Sequence, residues 1–189
     1  MPPKAKFTRE EIIQAGLDII REHGIESLTA RSLATKLGSS ARPIFTVFQS
    51  MEEVQEEVKK SAKSLYAKYV KKGLEQELAF KGVGTQYLLF ANQEPKLFQL
   101  LFMSEQKQPA VAANVMSMID DNYKDILLSV QNGYHVSEHK AEQLYRHLWI
   151  YTHGIAVLCA TNMCVFTGEE INDMIAQVFK GMLKEIDGK

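Results

Sequence analysis

The chain has 189 residues, a formal net charge of −1 and a hydrophobic fraction of 46%. Its length allows a large core without metals or disulfides, and its ordinary composition excludes disordered, collagen-like and low-complexity proteins. Two cysteines exclude a disulfide framework, and no apolar stretch follows Met1, so we expect a cytoplasmic protein.

Apolar residues recur at three- and four-residue spacing along nearly the whole chain, which predicts an all-α protein of about nine helices. Thr8 and Glu11 form a capping box that begins the first helix. Thr29 is expected to cap a short second helix that ends before Gly38. A third short helix is predicted over about 41–48, with Ser40 as its cap.

Longer helices are predicted beyond residue 50. They are expected from Met51, over 74–91, from Pro95, over 109–130, over 137–162 and over 168–186, with a turn at Asn132-Gly133. The run from His147 to Gly168 contains 22 residues without a charge. Because His, Thr and Asn interrupt this run, it indicates a buried interface helix rather than a membrane span.

The two short helices within 29–48 are joined by Gly38-Ser39-Ser40, a turn too short for an antiparallel pair. They must cross steeply, as in a helix-turn-helix whose second helix enters the major groove of DNA. Residues 1–50 carry seven basic and five acidic side chains, so this part of the chain is slightly basic. The apolar side chains expected to hold the pair onto the first helix are Leu33, Ala34, Leu37, Ile44, Phe45 and Phe48.

The run from Thr8 to Val54 resembles the N-terminal domain of the tetracycline-repressor (TetR) family of bacterial transcription regulators. The residues that carry the resemblance are Ile13-Ala15-Gly16-Leu17, His23-Gly24, Leu28-Thr29-Ala30-Arg31-Ser32-Leu33-Ala34, Gly38, Ile44-Phe45-Thr46-Val47-Phe48 and Met51-Glu52-Glu53-Val54. The resemblance implies a regulator rather than an enzyme, with a DNA-binding domain over 1–50 and a helical ligand-binding and dimerisation domain over 51–189.

The chain departs from the family pattern at three positions of this N-terminal segment. The family usually has Tyr, His and Lys where this chain has Phe45, Val47 and Met51. The tyrosine hydroxyl and the lysine amine commonly meet DNA phosphates, so we expect weaker contact with the DNA backbone here.

The polar side chains of the helix pair fall into two predicted groups. Phosphate contacts are expected from Thr29, Arg31, Thr46 and an arm of Lys4, Lys6 and Arg9. Base-edge contacts are expected from Ser40, Ala41 and Arg42. Arg42 is the most specific of these predictions, because an arginine can bond O6 and N7 of guanine together.

Two C-terminal helices carry apolar stripes typical of a dimer interface. The first has a coiled-coil-like seam of Leu144, Leu148, Tyr151, Ile155 and Leu158. The second has a stripe too broad for one neighbour, formed by Ile171, Met174, Ile175, Val178, Phe179 and Met182. We expect these helices to form a four-helix interface in a homodimer, which would read a near-palindromic operator.

Aromatic and methionine side chains are frequent in the middle helices and could line a pocket for an apolar or aromatic ligand. The candidates are Phe90, Phe98, Phe102, Met103, Met116, Tyr123, Trp149 and His153. Ordinary core packing is the alternative explanation of such a pattern. The family resemblance implies a small-molecule effector that releases the protein from DNA.

Two other classes of function fit parts of the sequence. A metal or hydrolytic enzyme is disfavoured, because His135 and His139 lack a third ligand at useful spacing and no catalytic motif is present. We therefore expect no catalytic residues, no metal and no cofactor. A helical adaptor that binds protein partners without DNA stays open, since the net charge is near zero and two usual phosphate contacts are missing.

Overall fold

Helices form the described architecture of the protein in a computed structural model, which describes residues 6–105, 111 and 115–187. Within these residues there are nine α-helices, two short 3-10 helices and no strand, which confirms the all-α prediction. The α-helices are α1 (Arg9–His23), α2 (Ala30–Lys36), α3 (Met51–Leu74), α4 (Ala79–Gln93), α5 (Pro95–Phe102), α6 (Val115–Ile119), α7 (Tyr123–Tyr134), α8 (Glu138–Ala160) and α9 (Gly168–Asp187). The 3-10 helices are η1 (Ile25–Ser27) and η2 (Ile44–Thr46).

The helix predicted over 109–130 is wrong in its described part, where α6 and α7 are separate helices. Asp120 causes the break, because its Oδ1 accepts hydrogen bonds from the backbone amide of Asn122 at 2.8 Å and from the side-chain amide of Asn122 at 2.9 Å. Such a local bond offers the backbone an alternative to the helical ladder. The turn predicted at Asn132-Gly133 is also wrong, since α7 continues to Tyr134 and ends at His135 in a left-handed conformation.

The contacts divide the chain into two compact units. The first unit comprises Met1–Tyr66 and Glu94–Ser104. Its core includes the buried stripe of α1, against which α2 and α5 pack. Arg21 of α1 donates to both carboxylate oxygens of Glu94 at 2.9 and 3.0 Å, which fixes the start of α5 beside α1.

The second unit comprises Ala67–Gln93 and Glu105–Lys189. In it, α4 packs against α7 and α8, and α9 packs against α8. The end of α3 approaches α4 closely, because Gly73 and Gly82 bring the two backbones together without side chains between them. The functional boundary predicted at residue 50 stays a prediction: α3 begins at Met51, directly after it, whereas the division between the two compact units falls inside α3, after Tyr66.

A helix that crosses a membrane must be both long and apolar. Over residues 6–105, 111 and 115–187, no helix combines enough of both to cross a bilayer.

Candidate nucleic-acid interface and ligand site

The helix α2 begins at a capping box that the sequence predicts only in part. The Thr29 hydroxyl accepts from the backbone amide of Ser32 at 3.1 Å, and the Ser32 hydroxyl lies 3.0 Å from the Thr29 amide. Because Leu33 and Ala34 are buried, the opposite face of α2 points outward and exposes Arg31. The N-terminus of α2 is therefore fixed by its own side chains.

The third helix predicted over 41–48 is wrong, because this segment forms only the single 3-10 turn η2. Pro43 discourages helical geometry at Arg42. The Pro43 carbonyl accepts from the Thr46 hydroxyl at 2.6 Å and the Thr46 amide at 3.3 Å, so the amide of Val47 bonds to Ile44 instead of completing an α-turn. The turn still buries Ile44 in the core of the first unit.

The segment that contains α2 and η2 exposes five of the predicted polar residues to solvent, and we call them the polar edge. Its members are exposed and comprise Thr29, Arg31, Ser40, Arg42 and Thr46. Ala41, the other predicted base-edge residue, is half-buried. Neither arginine has an ion-pair partner among the residues that the structure describes, so both charges are available to a ligand.

A surface groove of about 400 Å³ lies beside α2 in the first unit. Its walls include Thr29, Arg31 and Lys36 from α2 and its cap, and Glu22 from α1. Lys36 donates to Glu22 at 2.7 Å, and this hydrogen bond lowers the pKa of the Glu22 carboxyl. Lys36 is thus already paired, whereas Arg31 at the same groove is not.

Phe45 was predicted to hold the η2 segment onto α1. It is instead 45% exposed, so that prediction is wrong. The buried aromatic of this turn is Phe48, which is 2% exposed. Within η2, Ile44 points into the core, whereas Phe45 lies on the solvent side next to Thr46. An aromatic ring therefore adjoins the polar edge.

The predicted basic arm is described only in part, since Lys4 lies outside the described residues. Lys6 donates to the Ser39 hydroxyl at 3.0 Å and is exposed. Arg9 donates to Glu53 at 2.8 Å, and its guanidinium lies 4.3 Å from the centroid of the Phe48 ring. Arg9 is therefore occupied in joining α1, η2 and α3, unlike the arginines of the polar edge.

The predicted ligand-binding residues are divided between the two units of the chain. Phe98, Phe102 and Met103 belong to the first unit, where Phe98 is buried, Phe102 packs on Tyr66 at a ring separation of 5.0 Å, and Met103 is exposed. The other five lie in the second unit and comprise Phe90, Met116, Tyr123, Trp149 and His153. The single predicted site stays a prediction.

An aromatic cluster in the second unit brings three of the predicted side chains together with Tyr87, another aromatic residue of the middle helices, and with Tyr145, which was not predicted. It consists of Tyr87 on α4, Tyr123 on α7, and Tyr145, Trp149 and His153 on α8. His153 stacks on Trp149 at 4.6 Å, Tyr123 stacks on Tyr145 at 5.8 Å, and the Tyr87 hydroxyl lies 2.8 Å from Nδ1 of His153. The four-residue spacing of 145, 149 and 153 was the available signal for Tyr145.

Burial shapes the protonation of this aromatic cluster. It lowers the pKa of His153, which favours the neutral ring near pH 7. Burial, with the nearby charge of Asp120, holds the pKa values of Tyr87 and Tyr145 well above their usual range. Burial also raises the pKa of Tyr123 to about 12, with a contribution from its hydrogen bond to Glu142. The tyrosines therefore stay protonated near pH 7.

The predicted seam on α8 is corrected, because Leu144, Leu148 and Ile155 are buried inside the single chain. They cannot reach a second copy. The solvent side of α8 instead carries Ile150, Tyr151, Gly154, Val157 and Leu158, of which Ile150 and Val157 were missed. On α9, all six predicted residues are only half-buried. We call these exposed parts of α8 and α9 the apolar face.

No group of three or more His, Cys, Asp and Glu side chains arranged to hold a metal ion occurs in the described part of the chain. The fold defines an all-helical protein whose N-terminal unit exposes the polar edge on α2 and η2. A family model described as tetracyclin repressor-like, C-terminal domain, matches residues 80–184, which is more than half of the chain. The chain therefore belongs to the TetR family, whose members are regulators rather than enzymes. No curated protein matches it.

Proposed function

We propose that this protein is a DNA-binding transcriptional regulator, acting as a repressor, which binds a palindromic operator as a homodimer and is released by a small-molecule effector. The observation that carries the proposal is the polar edge, because a TetR-family chain here exposes two unpaired arginines on a buried helical scaffold. This arrangement suits a surface that reads duplex DNA.

The two arginines take different parts in this proposal. Arg42 precedes η2 and reads a base edge, which discriminates bases by about 1–3 kcal/mol when it bonds guanine bidentately. Arg31, with Thr29 and Thr46, binds phosphate and positions the protein without reading sequence. Arg9 supports the edge from beneath through Glu53 and Phe48 rather than meeting DNA.

Dimerisation follows from the apolar face of the second unit. Ile150 is 53% exposed, and no large apolar side chain of α9 is buried in the single chain. Such a contiguous apolar surface is typical of a protein interface. A two-fold dimer through α8 and α9 places one polar edge per subunit on half-sites roughly 34–36 Å apart, or a multiple of that distance.

The effector acts in this proposal by changing the spacing of the two polar edges. A ligand shifts the population toward subunit arrangements that do not fit the groove, by no more than its differential affinity for the two states. The aromatic cluster of the second unit is the site that we assign to it.

The experiment is selection of bound duplexes from randomised DNA by the purified protein, followed by affinity measurement at several salt concentrations. Arg42→Ala should relax the preference for particular bases in the selected DNA. Arg31→Ala should instead weaken binding to all sequences about equally, and it should reduce the slope of log affinity against log salt concentration by about one unit. Lys81→Ala removes one exposed positive charge from α4 and serves as the control. It should change neither the base preference nor the salt dependence of DNA binding. Absence of a selected palindrome and of salt dependence would favour the adaptor function instead.

A further inference from the structure

Two buried hydrogen-bond donors of the aromatic cluster have no partner in the described part of the chain. They are the Tyr145 hydroxyl and the Trp149 indole Nε1. Tyr145 is 3% exposed. Because residues four apart on a helix share one face, both donors belong to the same side of α8. Buried donors are normally satisfied, and two unsatisfied neighbours indicate an absent hydrogen-bond acceptor.

Flat rings flank both donors. Tyr123 stacks on Tyr145 with an interplanar angle of 18°, and His153 stacks on Trp149 with an angle of 10°. The hydrogen bond between Tyr87 and His153 fixes the second pair, since it joins α4 to α8. A planar molecule seated against these stacked pairs meets aromatic rings as well as the two donors.

The charge around the cluster is negative. Asp120 is 3% exposed and close enough to both Tyr87 and Tyr145 to disfavour their ionised forms. Glu138 and Glu142 also raise the pKa of Tyr123, and Arg146 acts in the opposite direction. An anionic ligand would therefore be repelled at a site of low solvent access.

We propose that the aromatic cluster binds a planar, conjugated small molecule that is neutral or cationic. A hydrogen-bond acceptor of this molecule accepts from the Tyr145 hydroxyl and the Trp149 indole Nε1. The inference rests on the proposed function, of which it names the class of effector. It selects against carboxylates of the same shape, and against apolar molecules that carry no acceptor.

Trp149 is the only tryptophan of the chain, so its fluorescence reports on this site directly. The probes are trans-cinnamamide, trans-cinnamate and trans-β-methylstyrene, which share one planar conjugated body and differ in carrying a carboxamide, a carboxylate or a methyl group. We expect the carboxamide to change the emission of Trp149 and to bind at least about tenfold more tightly than the other two. Equal binding of all three, tightest binding of the carboxylate, or no response to the carboxamide up to its solubility would overturn the inference.

The variant Tyr145→Phe keeps the ring and removes one unpaired donor. It should weaken carboxamide binding about tenfold while leaving the melting temperature of the free protein unchanged or raised, because a buried hydroxyl without a partner adds nothing to stability. A lowered melting temperature would mean that an internal water already satisfies the hydroxyl, and would contradict the inference. Tyr134→Phe, which alters a ring that packs on Phe179 outside the cluster, is the control and should leave probe binding unchanged.

DNA binding without any probe separates this inference from the proposed function. A protein that binds a palindromic duplex but not the carboxamide retains the proposed function and loses the inference. A protein that binds the carboxamide through Tyr145 but no duplex loses the proposed function, while the binding site stands.

Discussion

Replacing Gly82 by Ala should destabilise the second unit, although alanine is the better helix former. A Cβ at this position would lie against the carbonyl oxygen of Gly73 and 2.9 Å from the side chain of Gln76. Gln76 can turn away, but the Gly73 carbonyl belongs to the backbone of α3, so the two helices must separate. Gly84 lies two residues further along α4, and a Cβ there meets no atom within 4 Å.

The two substitutions differ only in this contact. Each gains about 1 kcal/mol of helix propensity relative to glycine. Overpacking at Gly82 costs about 1–3 kcal/mol, and the rigid backbone partner favours the upper end of that range. We therefore expect Gly82→Ala to lower the free energy of unfolding by about 2 kcal/mol, and Gly84→Ala to raise it by up to about 1 kcal/mol.

Urea unfolding of both variants at one protein concentration measures this difference, since the stability of a dimer depends on concentration. The slopes of free energy against urea should agree between the variants, so that the midpoints report stability. A Gly82→Ala variant as stable as Gly84→Ala would refute the close approach of α3 and α4.

Three further predictions concern the apolar face, the aromatic cluster and the polar edge. Ile150→Glu should convert a dimer into a monomer in analytical ultracentrifugation, whereas Leu128→Glu, at 52% exposure on α7, should not; a dimer in both would remove α8 from the interface. Because the folded pKa of His153 is lowered, its contribution to stability is complete above pH 6.5 and is lost as the pH falls through that value toward the folded pKa. His153→Gln should therefore flatten the dependence of the urea midpoint on pH between 6.5 and about 5, and an unchanged dependence would contradict burial of this ring. Phe45→Tyr should strengthen binding to all duplexes by about fivefold, as measured by fluorescence anisotropy, because it restores a hydroxyl donor for phosphate; an effect on one sequence only would argue against phosphate contact.

Local signals in the sequence predicted the local structure well. The capping boxes at Thr8 and Thr29 begin helices where expected, because a cap needs only residues three positions apart. The segment 41–48 was harder, since apolar spacing over a single turn fits a 3-10 helix as well as an α-helix. Pro43 was visible in the sequence, but the competing bond from the Thr46 hydroxyl to its carbonyl was not.

The apolar spacing of a helix did not predict which neighbouring element buries its side chains. Leu144 and Ile155 have the spacing of an interface seam, yet α4, α7 and α9 surround α8 and bury them. Apolar periodicity gives the inward stripe of a helix without saying whether the neighbour is the same chain or another. Phe90 and Phe98 are likewise similar in burial but lie in different units, because the chain returns to the first unit at Glu94.

The bidentate bond between Arg21 and Glu94 has a consequence for engineering. Residues 80–184 match the family's C-terminal domain, yet α5 lies inside that span and covers α1 of the first unit with Leu97 and Phe98. Consider a hybrid regulator that joins the N-terminal part of one protein to the C-terminal domain of another near residue 80. Such a hybrid would replace α5 and leave Arg21 against a helix from the other protein. The first unit is discontinuous in sequence, so a working hybrid should take residues 94–104 from the same parent protein as residues 1–66.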